Sequence, residues 1–122
     1  MTGPDFLAGR RVLVVEDQFI IAIELERMLR QAGCLVTAAA RLKAALELAR
    51  EGDFDFAVLD VNLFGEKVFP VADMLESRAI PFVLTTGYGE AAVPEGRTGW
   101  RVIIKPYDAA AVVALISTVL AA

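Results

Sequence analysis

The sequence predicts a doubly wound α/β domain: a five-stranded parallel sheet with about five helices spread over its two faces. Three observations carry this. Short apolar runs alternate with stretches of helical periodicity, which is the order of a parallel sheet connected by helices. The runs are nearly unbroken in Val, Leu and Ile, as suits strands covered on both sides. At 122 residues, 57% hydrophobic and 23% charged, the chain has room for one well-filled core.

The first strand spans residues 11–16 and leads to a helix over 19–32. There Ile21, Leu25, Met28 and Ala32 recur at helical spacing, and Glu26 and Arg30 form a favourable i,i+4 pair on another face. Gly33 is the expected stop. A second strand, about 34–38, precedes a helix whose apolar stripe is Leu42, Ala45, Leu46 and Ala49, ended by Gly52. The third strand, 54–59, delivers Asp60 to its carboxyl end. A loop over 61–67 follows, then a helix with Val68, Val71, Ala72 and Leu75 inward and Pro70 tolerable only in its first turn. Residues 80–85 form the fourth strand. The stretch 87–99 holds four glycines and Pro94, so any helix in it is short or irregular. Residues 100–104 make the fifth strand, and Asp108 can cap a last helix with Val112, Ile116 and Val119 on its inner face. The chain divides into an N-terminal tail over 1–8 and one domain over 9–122, with no separate output domain expected.

Composition removes several function classes. Net charge is −4 and the basic residues are scattered, so no direct nucleic-acid partner is expected. No apolar run approaches the roughly 20 residues needed to span a bilayer. The first nine residues lack the pattern of a secretion signal, which makes the cytoplasm the expected compartment. Histidine is absent, which excludes histidine-based acid/base chemistry and any phosphohistidine carrier role. The single cysteine, Cys34, suits a buried thiol in a reducing compartment.

In doubly wound sheets the ligand site lies beyond the carboxyl ends of the strands. Four of the five expected strands end there in a polar group: Glu16 and Asp17, then Asp60, then Thr85 and Thr86, then Lys105. Each alone has an ordinary explanation, since acids cap helices and lysines are usually solvated. Together they are harder to dismiss. Three carboxylates pressed close push one another toward protonation unless a cation holds them ionised. A magnesium ion resolves this, because it takes oxygen ligands from one or two carboxylates, carbonyls, water and phosphoryl oxygen. Lys105 can stabilise the charge of an incoming phosphoryl group, and Thr86 can donate a hydroxyl to it. Asp60 is the candidate nucleophile, able to form an aspartyl phosphate.

At this point Leu13-Val-Val-Glu-Asp17, Val58-Leu-Asp-Val-Asn62, Leu84-Thr-Thr-Gly87 and Lys105-Pro106 together resemble the signature of response-regulator receiver domains. The likeness covers nearly the whole chain, and four pieces in order at successive strand ends are specific. It implies a flavodoxin-like sheet of order 2-1-3-4-5. It also implies that Asp60 is the phosphoacceptor, that Asp17 binds magnesium directly, that Glu16 acts at the same metal through water, and that Asn62 lends its backbone carbonyl. Thr86 and Lys105 match the phosphoryl-binding pair, and Lys105-Pro106 matches a peptide bond that is usually cis. The expected function is that of a stand-alone phosphorelay switch. Its donor is a sensor histidine kinase or phosphotransfer protein. Its output is contact with a protein target, through the fourth and fifth helices and the strand between them, and a homodimer on activation stays open. No turnover of a separate substrate is expected.

The pattern is broken in places. Many receivers carry an aromatic residue three positions before the lysine, where this chain has Val102; Tyr88 or Trp100, in phase with Val102 along the strand, are the replacement candidates. Many have a proline four positions after the acceptor, where Phe64 and then Gly65 stand, so the loop is expected to differ. The glycine-rich run after Thr86 is similar to a subgroup of receivers, often stand-alone, with a Thr-Gly-Tyr-like element; mobility there is a candidate carrier of the signal. Three rival readings remain. Gly87-Tyr-Gly89-Glu-Ala-Ala92 weakly matches a dinucleotide fingerprint, but Pro94 and Gly96 interrupt the helix it requires. An aspartyl-phosphate hydrolase would want an acid where Asn62 stands. A pseudo-receiver, an interaction module independent of phosphorylation, rests on Val102 and Phe64.

Overall fold

The alternation of apolar runs and amphipathic stretches resolves into a single twisted sheet. A computed structural model describes residues 7–87 and 93–121. Its elements are β1 (Arg11–Val15), α1 (Phe19–Gln31), β2 (Leu35–Ala39), α2 (Leu42–Glu51), β3 (Phe56–Asp60), β4 (Asn62–Leu63), β5 (Glu66–Lys67), α3 (Phe69–Ser77), β6 (Phe82–Thr86), β7 (Arg101–Ile104) and α4 (Ala109–Ala121). The five-stranded sheet runs β2-β1-β3-β6-β7, all pairs parallel, which is the expected 2-1-3-4-5 order once the short β4–β5 pair is set aside. β4 and β5 pair antiparallel as a separate two-stranded ribbon, so the stretch read as a loop over 61–67 contains a small hairpin.

Alternation along the strands splits the core into two layers. Leu13, Val15, Ala57, Leu59, Phe82 and Leu84 face α2 and α3. Val12, Val14, Phe56, Val58 and Val83 face α1 and α4. Four helices stand among the described residues, against about five expected. The expected fourth helix falls within 87–99, of which residues 88–92 lie outside the described part, and no helix is assigned to 93–99. Pro94, Gly96 and Gly99 account for that: the two glycines hold positive φ, and proline cannot continue a helix. No helix among the described residues is long and apolar enough to cross a membrane.

Helix ends follow local chemistry. Asp108 caps α4, its Oδ1 accepting from the Ala110 amide at 3.0 Å. Gly33 closes α1 at φ +97, with Cys34 N–H reaching back to the Leu29 carbonyl. Arg78 secures the end of α2 from another element, donating to the carbonyls of Ala49 at 2.7 Å and Gly52 at 2.6 Å. The inner stripe of α1 differs from expectation. Ala22, Leu25 and Leu29 are buried, Met28 and Ala32 pack half-buried against the same layer, and Ile21 is half-buried. The reason is that α1 packs against both β2 and α4, so a second row of residues beside the expected one is covered. Leu7, in the stretch read as a tail, is fully buried and packs against the α1–α4 layer.

Candidate functional site

Parallel topology brings all the expected strand-end groups to one edge of the sheet. β1, β3 and β7 end next to Glu16, Asp60 and Lys105, and these three share the sheet face that carries Val14, Val58 and Ile103. Glu16 and Asp60 are each only 5% exposed. One carboxylate oxygen from each of Glu16, Asp17 and Asp60 lies within 4.8 Å of the others. Lys105 reaches this group from β7, with its Nζ 3.0 Å from Glu16 Oε1 and 3.2 Å from Asp60 Oδ2. A second contact, 3.2 Å from Lys105 Nζ to Glu16 Oε2, makes Glu16 the anchor of the ammonium.

Each of the three acids also accepts one backbone amide. Gln18 N–H donates to Glu16 Oε2 at 3.0 Å, Phe64 N–H to Asp17 Oδ2 at 2.9 Å and Asn62 N–H to Asp60 Oδ1 at 3.4 Å. Sequence reasoning missed these donors because every non-proline residue carries the same amide and nothing in its side chain reports where the N–H points. Tyr107 was missed too. It packs half-buried against the α1–α4 layer, and burial together with the nearby Glu16 and Asp60 charges pushes its phenol up to about 12.

The electrostatics are those of a crowded acidic cleft. Burial and the Glu16 carboxylate push Asp60 up to about 8, against the opposing pull of the Lys105 ammonium. Burial acts in the same upward direction on Asp17, but the Phe64 amide, its hydrogen bonds to Asp60 and Glu16, and Lys105 hold it below the ordinary carboxylate value. Lys105 is held above its usual range, since Glu16 and Asp60 outweigh its burial. The cluster therefore cannot keep all its acids ionised unaided. Hard carboxylate oxygens around one point, with the Asn62 backbone beside them, are the donor set that magnesium accepts; on this chemistry the residues fit the ion.

The threonines occupy two different settings. Thr85 is the register partner of Asp60, fully buried, and its hydroxyl has no hydrogen-bond partner. Thr86 ends β6 with its carbonyl accepting the Lys105 amide at 2.8 Å, which ties the two expected phosphoryl-binding residues side by side. The Lys105–Pro106 peptide bond is cis. Trp100 stands before β7, at the end of the strand opposite Lys105. It packs edge-on to Phe82 with ring centres 5.3 Å apart, lies 6.5 Å from Phe69, and donates its indole N–H to Glu76 at 3.0 Å. Val102 packs half-buried on the α2–α3 layer. Tyr88, the other switch candidate, lies outside the described residues.

Comparison with known proteins points one way. The family described as response regulator receiver domain matches residues 12–117. The chain is 33% identical over 101 residues to the transcriptional regulatory protein PdtaR of Mycobacterium tuberculosis, a match that takes in 78% of this chain but 49% of PdtaR, so the chain spans about half the length of that relative. Among solved structures, SdrG from Sphingomonas melonis is similar at 34% identity and TM-score 0.76, over 93% of this chain and 98% of SdrG. The receiver domain of sensor histidine kinase PA1611 from Pseudomonas aeruginosa, described with magnesium coordinated in its active-site cleft, shares the fold at TM-score 0.79. There the identity is 21%, over 94% of this chain and 100% of that domain.

Proposed function

The chain belongs to the response regulator receiver domain family of two-component signalling, and from that premise we propose that it is a phosphorelay switch charged on Asp60. The observation that carries this reading is the Lys105 ammonium within 3.2 Å of Asp60, inside a cleft formed by three carboxylates. An Asp60 oxygen attacks the phosphorus of a phosphohistidine on a sensor kinase or phosphotransfer protein. The new O–P bond forms as the P–N bond breaks, and the imidazole leaves. Lys105, held by Glu16, meets a phosphoryl oxygen at the place where it now meets Asp60, and Thr86 donates its hydroxyl to another. Asp17, Asp60 and the Asn62 carbonyl would hold magnesium, with Glu16 beside them, and the ion would neutralise charge on the transferred group.

The product is an acyl phosphate whose added charge biases the domain between two conformations read by a protein partner. In this reading the chain works in the cytoplasm, and its chemistry serves its own switching rather than turnover of a separate substrate. Incubation with magnesium and acetyl phosphate, followed by intact mass, tests it. One phosphate adduct on wild type, absent from Asp60→Asn, is the expected result. No adduct on a folded wild type would instead favour a phosphorylation-independent interaction module.

A further inference from the structure

Two residues beside the cleft disobey the preferences of their own local structure, and they touch. Arg41 is the N-cap of α2 and makes no capping hydrogen bond there. A cation at that end opposes the partial positive charge of the helix terminus. Phe64 sits in the β4–β5 turn at φ +51, followed by Gly65 at φ +90. Such a left-handed pair is ordinarily Asn-Gly or Gly-Gly, because a side chain as large as phenylalanine is strained there. The Arg41 guanidinium lies 4.4 Å from the centre of the Phe64 ring, although the residue is 55% exposed.

When adjacent residues both violate local rules, the demand comes from elsewhere. Here it is visible in the backbone, since the strained residue is the one whose N–H donates to Asp17 Oδ2 at 2.9 Å. Receivers with proline at this position could not make that bond: proline has no N–H and cannot adopt a positive φ.

We propose that the Phe64 amide is a positioning group for magnesium capture, holding one oxygen of Asp17 and leaving the other for the cation, with the Arg41–Phe64 contact locking the turn in place. This rests on reading Glu16, Asp17 and Asp60 as a magnesium site. It adds that the exposed hairpin and the metal site share one equilibrium. By linkage, whatever steadies the turn tightens magnesium binding, and magnesium steadies the turn to the same extent.

The test is magnesium titration of the full chain, followed by calorimetry and by the Phe64 amide signal in nitrogen-resolved NMR. Arg41→Ala should weaken magnesium about two- to fivefold, the effect of an exposed cation–π contact, and speed hydrogen exchange at the Phe64 amide. Arg41→Lys, which keeps a cation over the ring, should recover most of both. Replacing Phe64 by its α-hydroxy analogue turns the amide into an ester and deletes only the N–H. That variant should bind magnesium about tenfold more weakly, the scale of a hydrogen bond to a charged group, with an unchanged circular dichroism spectrum. Wild-type affinity in the ester variant, or in Arg41→Ala with unchanged exchange, overturns the assignment. Failure of the phosphorelay reading is read separately, as a missing acetyl-phosphate adduct in protein that still binds magnesium. A wild type that binds no magnesium overturns the metal site and this proposal with it.

Discussion

Magnesium binding should expel a proton at neutral pH, and Asp60 sets the amount. Its carboxyl is pushed up to about 8 by burial and by Glu16, although the Lys105 ammonium lies 3.2 Å away. At pH 7 most metal-free molecules then carry a proton on Asp60, whereas a cation requires the ionised form. Affinity for magnesium should climb nearly tenfold per pH unit between about pH 6 and 7.5 and level off above about 8. Titration calorimetry in buffers of different ionisation enthalpy should count about one proton released per ion at pH 7.

Folding stability supplies the complementary measurement. The folded value lies above the ordinary 3.8, so the metal-free native state keeps a proton that the unfolded chain has already lost. The contribution of Asp60 to metal-free stability therefore falls as pH rises between about 4 and about 8, by up to ~1.4 kcal/mol per unit, and is flat beyond that window. Asp60→Asn should abolish this slope and stabilise the metal-free protein at pH 8 by on the order of a few kcal/mol. Magnesium affinity indifferent to pH between 6 and 8, with no proton released, would refute the reasoning. Lys105 would then outweigh burial, and Asp60 would be ionised before any cation arrives.

Three further outcomes follow from other contacts. Thr85→Val should raise resting stability by about 1 kcal/mol and the melting temperature by a few degrees, because it removes a buried hydroxyl without a partner while keeping its shape; a loss of stability would mean that the hydroxyl is satisfied in solution. Arg78→Ala should cost about 2–3 kcal/mol in urea unfolding, since it strips two carbonyls at the end of α2 of a charged donor. Asp17→Asn should weaken magnesium binding and the acetyl-phosphate adduct together while leaving the melting curve nearly unchanged, which separates a ligand from a structural acid.

The α2–α3 layer and the positions of the acids could be read in advance because both follow from short-range rules. Unbroken apolar strand runs and helical spacing sort Leu13, Leu59 and Leu75 into that layer regardless of detail. The α1 stripe was legible only in part for the opposite reason: Leu25, Met28 and Ala32 do pack inward, but the full burial of Ala22 and Leu29 depends on where α4 lies, and α4 is some eighty residues away in the chain. The 61–67 segment was misjudged as plain loop because Phe64-Gly65 is an unusual turn pair, and its hairpin is held by a contact to Asp17 that local propensity does not contain.

What the residues determined by themselves was the convergence of Glu16, Asp17, Asp60, Thr86 and Lys105. Parallel strands joined by helical crossovers must all end on the same side, so a polar residue after each strand is delivered to one cleft whatever the loops do. What only the folded chain decided was the state of that cleft: which amide reaches which carboxylate, how far burial outweighs the ammonium at Asp60, and that Arg41 crosses to Phe64. Those depend on distances of a few ångströms between segments remote in sequence, and both electrostatic energy and hydrogen bonding change steeply over that range.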